Sequence, residues 1–293
     1  MKILSTNRIA IILIAMLTVA AFTSCKKEAS DLQDVTEEES VVYSEESMEA
    51  EASYDDVQDI SLIAAEEEAN VSLTGRVYPF VALRLRIGSC ADITVSPNDS
   101  TYPKTVTIDF GAGCLGADGK FRKGAIILHF TGPIRRPGSV LTISFRDFYL
   151  NRAHIEGAKI ISNLSENGNI KFTVQVVDGK VTYPNGRGYK YNALKYVKQI
   201  EGGLTNDVED DVFSIEGRSS TQFNNGHLTI NLNTETPLIK AVSCRWINEG
   251  KLKIKINNRV LFLDYGAPNS GDCDNKALLT WNNGGNSRLI TLP

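Results

Sequence analysis

The chain has 293 residues, with 31 Lys and Arg against 35 Asp and Glu, a formal net charge of −4. Hydrophobic residues make up 42% and charged residues 23%, a globular balance that excludes a wholly disordered, collagen-like or polytopic membrane chain. The near-neutral total hides a polarity: residues 26–70 hold 16 acidic side chains against Lys26 and Lys27, whereas residues 71–293 carry a net +8, the pattern of an acidic tail on a folded body.

Residues 1–24 have the layout of a signal segment. Lys2 and Arg8 form a short basic start, and Ile9 to Phe22 is an apolar run of 14 residues, too short for an ordinary spanning helix. Thr23-Ser24-Cys25 at its end resembles the lipobox of bacterial lipoproteins, with Phe22 where that family usually has Leu. The resemblance implies cleavage before Cys25 and acylation of its thiol, palmitate included. Two or more acyl chains hold a protein stably on a membrane. Lys26 at the second mature position resembles outer-membrane sorting. Lys26-Lys27-Glu28 before an acidic run resembles the export tags of Bacteroidota surface lipoproteins, which implies the cell surface; a periplasm-facing orientation is the alternative.

Residues 25–70 read as a disordered acidic tether. Their few large aliphatic side chains cannot offset the chain entropy lost on folding. Within them, residues 55–68 place Val57, Ile60, Ile63 and Ala64 on one face of a short helix. The opposite reading folds this tail back on the basic body, and the sequence leaves both open.

Residues 71–293 read as a single all-β domain. Leu83, Leu85 and Ile87 alternate with Arg84 and Arg86, and Val106, Ile108 and Phe110 alternate with polar residues. Further runs cover 124–131, 139–150, 169–177, 227–232, 251–256, 259–265 and 276–281. Turn pairs such as Asn167-Gly168, Asp178-Gly179, Asn185-Gly186, Asn257-Asn258 and Asn283-Gly284 separate them. The chain leaves no room for long parallel crossovers, so a long antiparallel meander is expected, whether curled, barrel-like or a sandwich.

An internal repeat joins 90–128 to 244–281. Ile108-Asp109-Phe110-Gly111 precedes Cys114, and Leu263-Asp264-Tyr265-Gly266 precedes Cys273. Cys90 and Cys244 stand 19 and 20 residues before the two Asp. The repeat selects disulfides Cys90–Cys114 and Cys244–Cys273, consistent with an oxidising compartment. A four-Cys zinc site is the competing reading, but it usually shows close Cys pairs. The blocks 107–128 and 143–163 (ISFRDFYLNRAHIEGAKIISN) resemble outer-membrane and surface lipoproteins of Bacteroidota. That group has no assigned activity, so the resemblance implies a location and supplies no active-site residues.

Candidate sites compete with structural readings. His129, His154 and His227 sit on separate strand patterns, with no nucleophile motif beside them. Asp207, Glu209, Asp210 and Asp211 offer hard oxygen ligands for a cation but lack EF-hand spacing; a solvated turn is the simpler reading. Asp109 and Asp264 could form an acid pair or bond the Gly turns that follow them. Arg135-Arg136 and Lys251, Lys253, Lys255 with Arg259 make basic strips, which suit an anionic glycan, lipid or protein partner better than nucleic acid. Trp246 and Trp281 suit sugar stacking or packing. Asn163-Leu164-Ser165 is formally a sequon, and Ile-Glu-Gly at 155–157, 200–202 and 215–217 reads as strand-end turns. The expectation is a lipid-anchored, non-catalytic binding or structural module, with no cofactor or metal. The alternatives are a carrier holding an acyl chain or other apolar ligand against a concave sheet, and a hydrolase using one of the three His.

Overall fold

The computed structural model describes residues 35–74, 79–203, 208–224, 226, 228–267 and 269–292. Cys25 and the apolar run before it lie outside these residues, as do Asp207 and His227. Residues 33–293 form one compact unit. It is mostly β, as the alternation predicts, and all strands belong to one antiparallel sheet that is not closed into a barrel.

The strands are β1 (Asp92–Ser96), β2 (Lys104–Asp109), β3 (Cys114–Leu115), β4 (Phe121–Phe130), β5 (Val140–Leu150), β6 (Ala153–Asn163) and β7 (Lys171–Thr182). They continue as β8 (Gly188–Glu201), β9 (Val212–Phe223), β10 (Thr229–Ala241), β11 (Glu249–Ile256), β12 (Arg259–Asp264), β13 (Lys276–Trp281) and β14 (Asn286–Thr291). Each pairs with its sequence neighbour, except that β2 pairs with β4 and β3 hangs on β4. β1 and β14 are the two edges. Asn167 and Gly168, and Asn283 and Gly284, all take positive φ at hairpin tips, the conformation that tight turns of this kind need. Asp178-Gly179 does not end a strand. It forms a bulge inside β7, where the register against β8 shifts between Val176 and Gly179.

Bulges recur across the middle of the sheet. Register shifts fall between Lys123 and Ala125, Ser144 and Phe148, Glu156 and Ala158, and Val176 and Gly179. Bulges bend a strand and raise its twist, so their alignment on neighbouring strands curls the sheet. Gly157 has φ +100°, and a Cβ there would lie 2.5 Å from the carbonyl oxygen of Asp178. The Ile-Glu-Gly triplets at 155–157 and 215–217 therefore mark irregularities inside strands, while only 200–202 is a strand end.

The acidic tail departs most from expectation. Residues Glu37–Thr74 are one α-helix, α1, of 38 residues, about 57 Å long. Thr36 caps it: its hydroxyl accepts from the Glu39 amide (3.2 Å), and the Glu39 carboxylate accepts from the Thr36 amide (2.9 Å), a capping box. The helix packs on the concave apolar face of the sheet. Its buried stripe runs through Ser40, Ser44, Ser47, Ala50, Tyr54, Val57, Ile60, Ser61 and Ala64. Small side chains let the helix lie close to the strands. The Ser44 and Ser61 hydroxyls donate to carbonyls one turn back, at 2.7 Å each, so they are buried without orphaned polar atoms. The short helix expected at 55–68 is a part of α1, and the tail folds back on the basic body.

The apolar core has two parts. One gathers α1 from Ala50 to Ala65 with the inward residues of β2 to β8. The other gathers Val35, Val41 and Met48 with β10 to β14. The segment expected as a strand at 83–87 is instead a short helix, α2 (Val81–Ile87). Leu83 and Ile87 are buried one turn apart, while Leu85 is 72% exposed. Five alternating residues fit that geometry as well as a strand. Glu67 of α1 accepts from the backbone amides of Ala82 and Leu83, at 2.9 and 3.0 Å.

Candidate functional site

Two surfaces concentrate chemistry: the seam between α1 and the sheet, and the convex face of β8 to β13. The seam is electrostatic as much as apolar. α1 carries no Lys or Arg, and nine basic residues of the body meet its carboxylates.

The deepest cluster surrounds Arg122 of β4, which is fully buried. Its guanidinium donates to both carboxylate oxygens of Asp56 (2.9 and 3.0 Å) and to Asp118 (2.6 and 3.0 Å). Lys120 adds a 2.8 Å bond to Asp56. Burial works against the Arg122 cation, but Asp118 and Asp56 more than offset it and hold the guanidinium charged. Lys104 of β2 is likewise buried and meets the buried Glu68 at 2.7 Å.

A third cluster holds Asp55 between Lys159 of β6 (2.9 Å) and Lys195 of β8 (3.6 Å). Burial opposes its charge, but the two ammonium groups prevail and hold its pKa down at about 2. Desolvation lowers the pKa of Lys159. Lys195 is desolvated too, yet Asp55 and Glu51 push it up. The Tyr54 hydroxyl donates to the Glu156 carbonyl at 2.8 Å, beside the bulge at Gly157. Burial pushes its pKa well up. These groups bind the helix to the sheet, and each charge in the three clusters is matched inside the molecule.

The repeat is a structural unit. β1-β2-β4 and β11-β12-β13 are equivalent triplets, and in each a disulfide links the approach to the first strand with the segment after the second, which is β3 in the first triplet and a loop in the second. The Cα atoms of Cys90 and Cys114 lie 5.7 Å apart, and those of Cys244 and Cys273 lie 5.6 Å apart. Asp109 Oδ1 accepts from the Gly111 amide at 2.8 Å, and Asp264 Oδ1 from the Gly266 amide at 3.2 Å. Both Asp thus bond the turn that follows, and each also meets a cation: Arg146 at 2.7 Å and Lys251 at 2.9 Å. They sit at opposite ends of the sheet order and form no acid pair.

The other candidates are also placed. His129 meets the Thr105 hydroxyl at 3.3 Å on the outer face. His154 stacks on Tyr149, with centroids 4.6 Å apart. Among the described residues no three His, Cys, Asp or Glu side chains gather into a metal-binding group. Glu209 and Asp210 lie in a 3-10 turn (Val208–Asp210), and Asp211 accepts from Gln199. Trp281 donates its indole N–H to Glu37 at 3.0 Å. Trp246 packs on the second core with Arg245 over its ring. Arg135 pairs with Glu66 at 2.8 Å. Asn163 is buried and donates to the Ile134 carbonyl at 2.7 Å, so its sequon serves a turn. Among the described residues are two open clefts. One, of about 410 Å³, lies by Glu249, Lys251, Asp264 and Ser270, and the other, of about 350 Å³, by Asn169, Gln199, Glu201 and Asp210.

The convex face of β8 to β13 is exposed. The inward positions of β10 to β12 are Ile230, Leu232, Leu252, Ile254, Ile256, Leu261 and Leu263, which turns their neighbours outward. In register across the strands run Leu194, Arg218, Asn233, Lys253, Phe262 and Thr280, and beside them Asn192, Ser220, Asn231, Lys255 and Val260. The Lys253 ammonium lies 6.0 Å from the centroid of the Phe262 ring. These two rows contain cations, amides, hydroxyls and apolar groups but no carboxylate. Compared with known proteins, the chain matches no family model, no curated protein and no solved structure.

Proposed function

We propose that this is a lipid-anchored cell-envelope protein, held at the outer membrane through Cys25, that acts as a non-catalytic binding or structural module through the convex face of its sheet. One observation carries the reading. The concave face, where a curled sheet would hold a ligand, is filled by α1 through buried ion pairs, so the exposed convex face is the surface left to meet other molecules. A carrier of an acyl chain would first have to release α1 at the cost of uncovering Arg122, Lys104 and Lys159.

The test is metabolic labelling with an alkyne fatty acid, followed by protease shaving of intact cells. Label on the wild-type chain that disappears in Cys25→Ala, with shaving of the body, is the expected result. An unlabelled chain would refute the anchor, and a labelled chain resistant to shaving would place the body on the periplasmic side. Native mass spectrometry of the purified protein separates the carrier: a discrete lipid-sized adduct would favour it.

A further inference from the structure

We infer that the outer face of β8 to β12 docks on an anionic lipid surface, beside the point where the chain leaves the folded body. The inference rests on the anchor just proposed and says which face of the body the anchor brings to the membrane.

Two independent observations converge on this face. The first is charge. Lys190 of β8, Arg218 of β9 and Lys253 and Lys255 of β11 all point outward with Phe262 and Val260 of β12 among them. Asn, Ser, Gln and Thr fill the outward positions between these residues on β9 and β10. Cations around an aromatic and an aliphatic side chain suit phosphate headgroups above acyl chains, since each basic residue near an anionic surface strengthens binding.

The second is the exit of the chain. The Arg259 guanidinium donates to the Val35 carbonyl, and Glu37 accepts from Trp281, Asn282 and Asn286 at the β13–β14 turn. Arg259 is opposite Ile256, one pair along from Lys255 and Val260. Val35, buried in the second core on the inner side of the sheet, thus lies at the end of the β11–β12 hairpin, one register pair from Lys255 and Val260 of the outer face. Ten residues link Cys25 to Thr36, and the backbone limits their reach to roughly 40 Å. An anchor at Cys25 thus keeps the end of the β11–β12 hairpin and the neighbouring β13–β14 turn within that distance of the bilayer.

The test is lysine footprinting of the full chain mixed with vesicles. One set is phosphatidylcholine alone and the other contains phosphatidylglycerol, with an amine-reactive acetylating reagent and mass-spectrometric readout. Acetylation of Lys253 and Lys255 should slow about fivefold on the anionic vesicles, and the protection should vanish in about 0.5 M NaCl. Lys123 and Lys171, on β4 and β7, should react equally on both. The K253Q/K255Q chain should also lose protection at Lys190. Equal labelling on both vesicle types overturns the proposal, as does protection that persists in high salt or on phosphatidylcholine, which would mark an apolar or protein–protein contact. Protection by a soluble sulfated polysaccharide but not by vesicles overturns it in favour of a glycan. Failure of the chain to associate with phosphatidylcholine vesicles counts against the anchor alone, because protection on anionic vesicles would still be read.

Discussion

Arg122 gives the sharpest test of how α1 is held. Replacing it with Met removes the cation and leaves the Asp56 carboxylate, 1% exposed, with Lys120 at 2.8 Å and Arg86 at 3.8 Å as its remaining partners. Removing one member of a buried ion pair typically costs about 3–5 kcal/mol, because the other charge is stranded in a poor solvent. Replacing both members with apolar groups of similar volume is often neutral. Arg122→Met should therefore lose about 3–5 kcal/mol in urea unfolding, whereas Arg122→Met/Asp56→Leu should recover more than half of that loss. Asp118, which bonds the same guanidinium, limits the recovery because it is left without that partner. Limited proteolysis gives a second readout: cleavage within 37–74 should speed up in the single variant and slow again in the double. Equal losses in the single and double variants would refute the argument, since the cost would then lie in lost packing and not in an uncompensated charge.

Acid should loosen the same seam. Asp55 titrates near 2 in the folded chain, below its unfolded value of about 3.9. Its contribution is present above pH 4 and is lost as pH falls through 2, on the order of 1 kcal/mol once solvent screening is allowed for. Asp118 acts in the same sense, and Asp59, whose carboxyl burial pushes up, acts against them. A melting temperature that rises between pH 4.5 and 2.5 would contradict this. Gly179→Ala should destabilise by several kcal/mol, because the new Cβ would lie 2.3 Å from the Tyr191 carbonyl oxygen and 2.8 Å from the Tyr54 hydroxyl; a thermal shift of less than about 2 °C would show that the crease yields. Reducing either disulfide should cost about 3–4 kcal/mol on the chain-entropy model, read as a lower urea midpoint in dithiothreitol. Asn163→Ala should cost about 1–3 kcal/mol by stranding the Ile134 carbonyl, again by urea midpoint.

The strands were legible because one apolar face imposes a period of two, which β2, β4, β5, β11 and β12 carry plainly. β8 and β9 were harder, since Lys195, Ser219 and Thr221 interrupt the apolar phase. Those interruptions were themselves a signal. Lys104 stands in phase with Val106 and Ile108, Lys159 with Ile161, and Lys195 with Tyr191 and Ala193, so cations occupied the inward register before any partner was known. Their partners were illegible as core because α1 buries Ser and Ala where most helices bury Leu, and because its carboxylates read as solvated charge. The Thr36-Glu39 capping spacing was the overlooked mark of a helix start. The disulfides and the Asp-Gly turns followed from the repeat, since equivalent residues do equivalent work at both ends of the sheet.

The long helix also dictates an order of events in folding. α1 precedes every strand it packs on, and its contacts reach from Ser47 to Thr221, 174 residues away, and from Glu37 to Asn286, 249 residues away. A chain that is synthesised N-terminus first presents α1 long before its seat exists. Contacts of such high sequence separation form slowly, so the exposed helix must wait in water. An acidic, Ser- and Ala-rich stripe tolerates that wait, where a Leu-rich stripe of the same length would recruit neighbouring chains. The composition that disguised the helix as a tether is thus what keeps it soluble until β14 closes the last of its contacts.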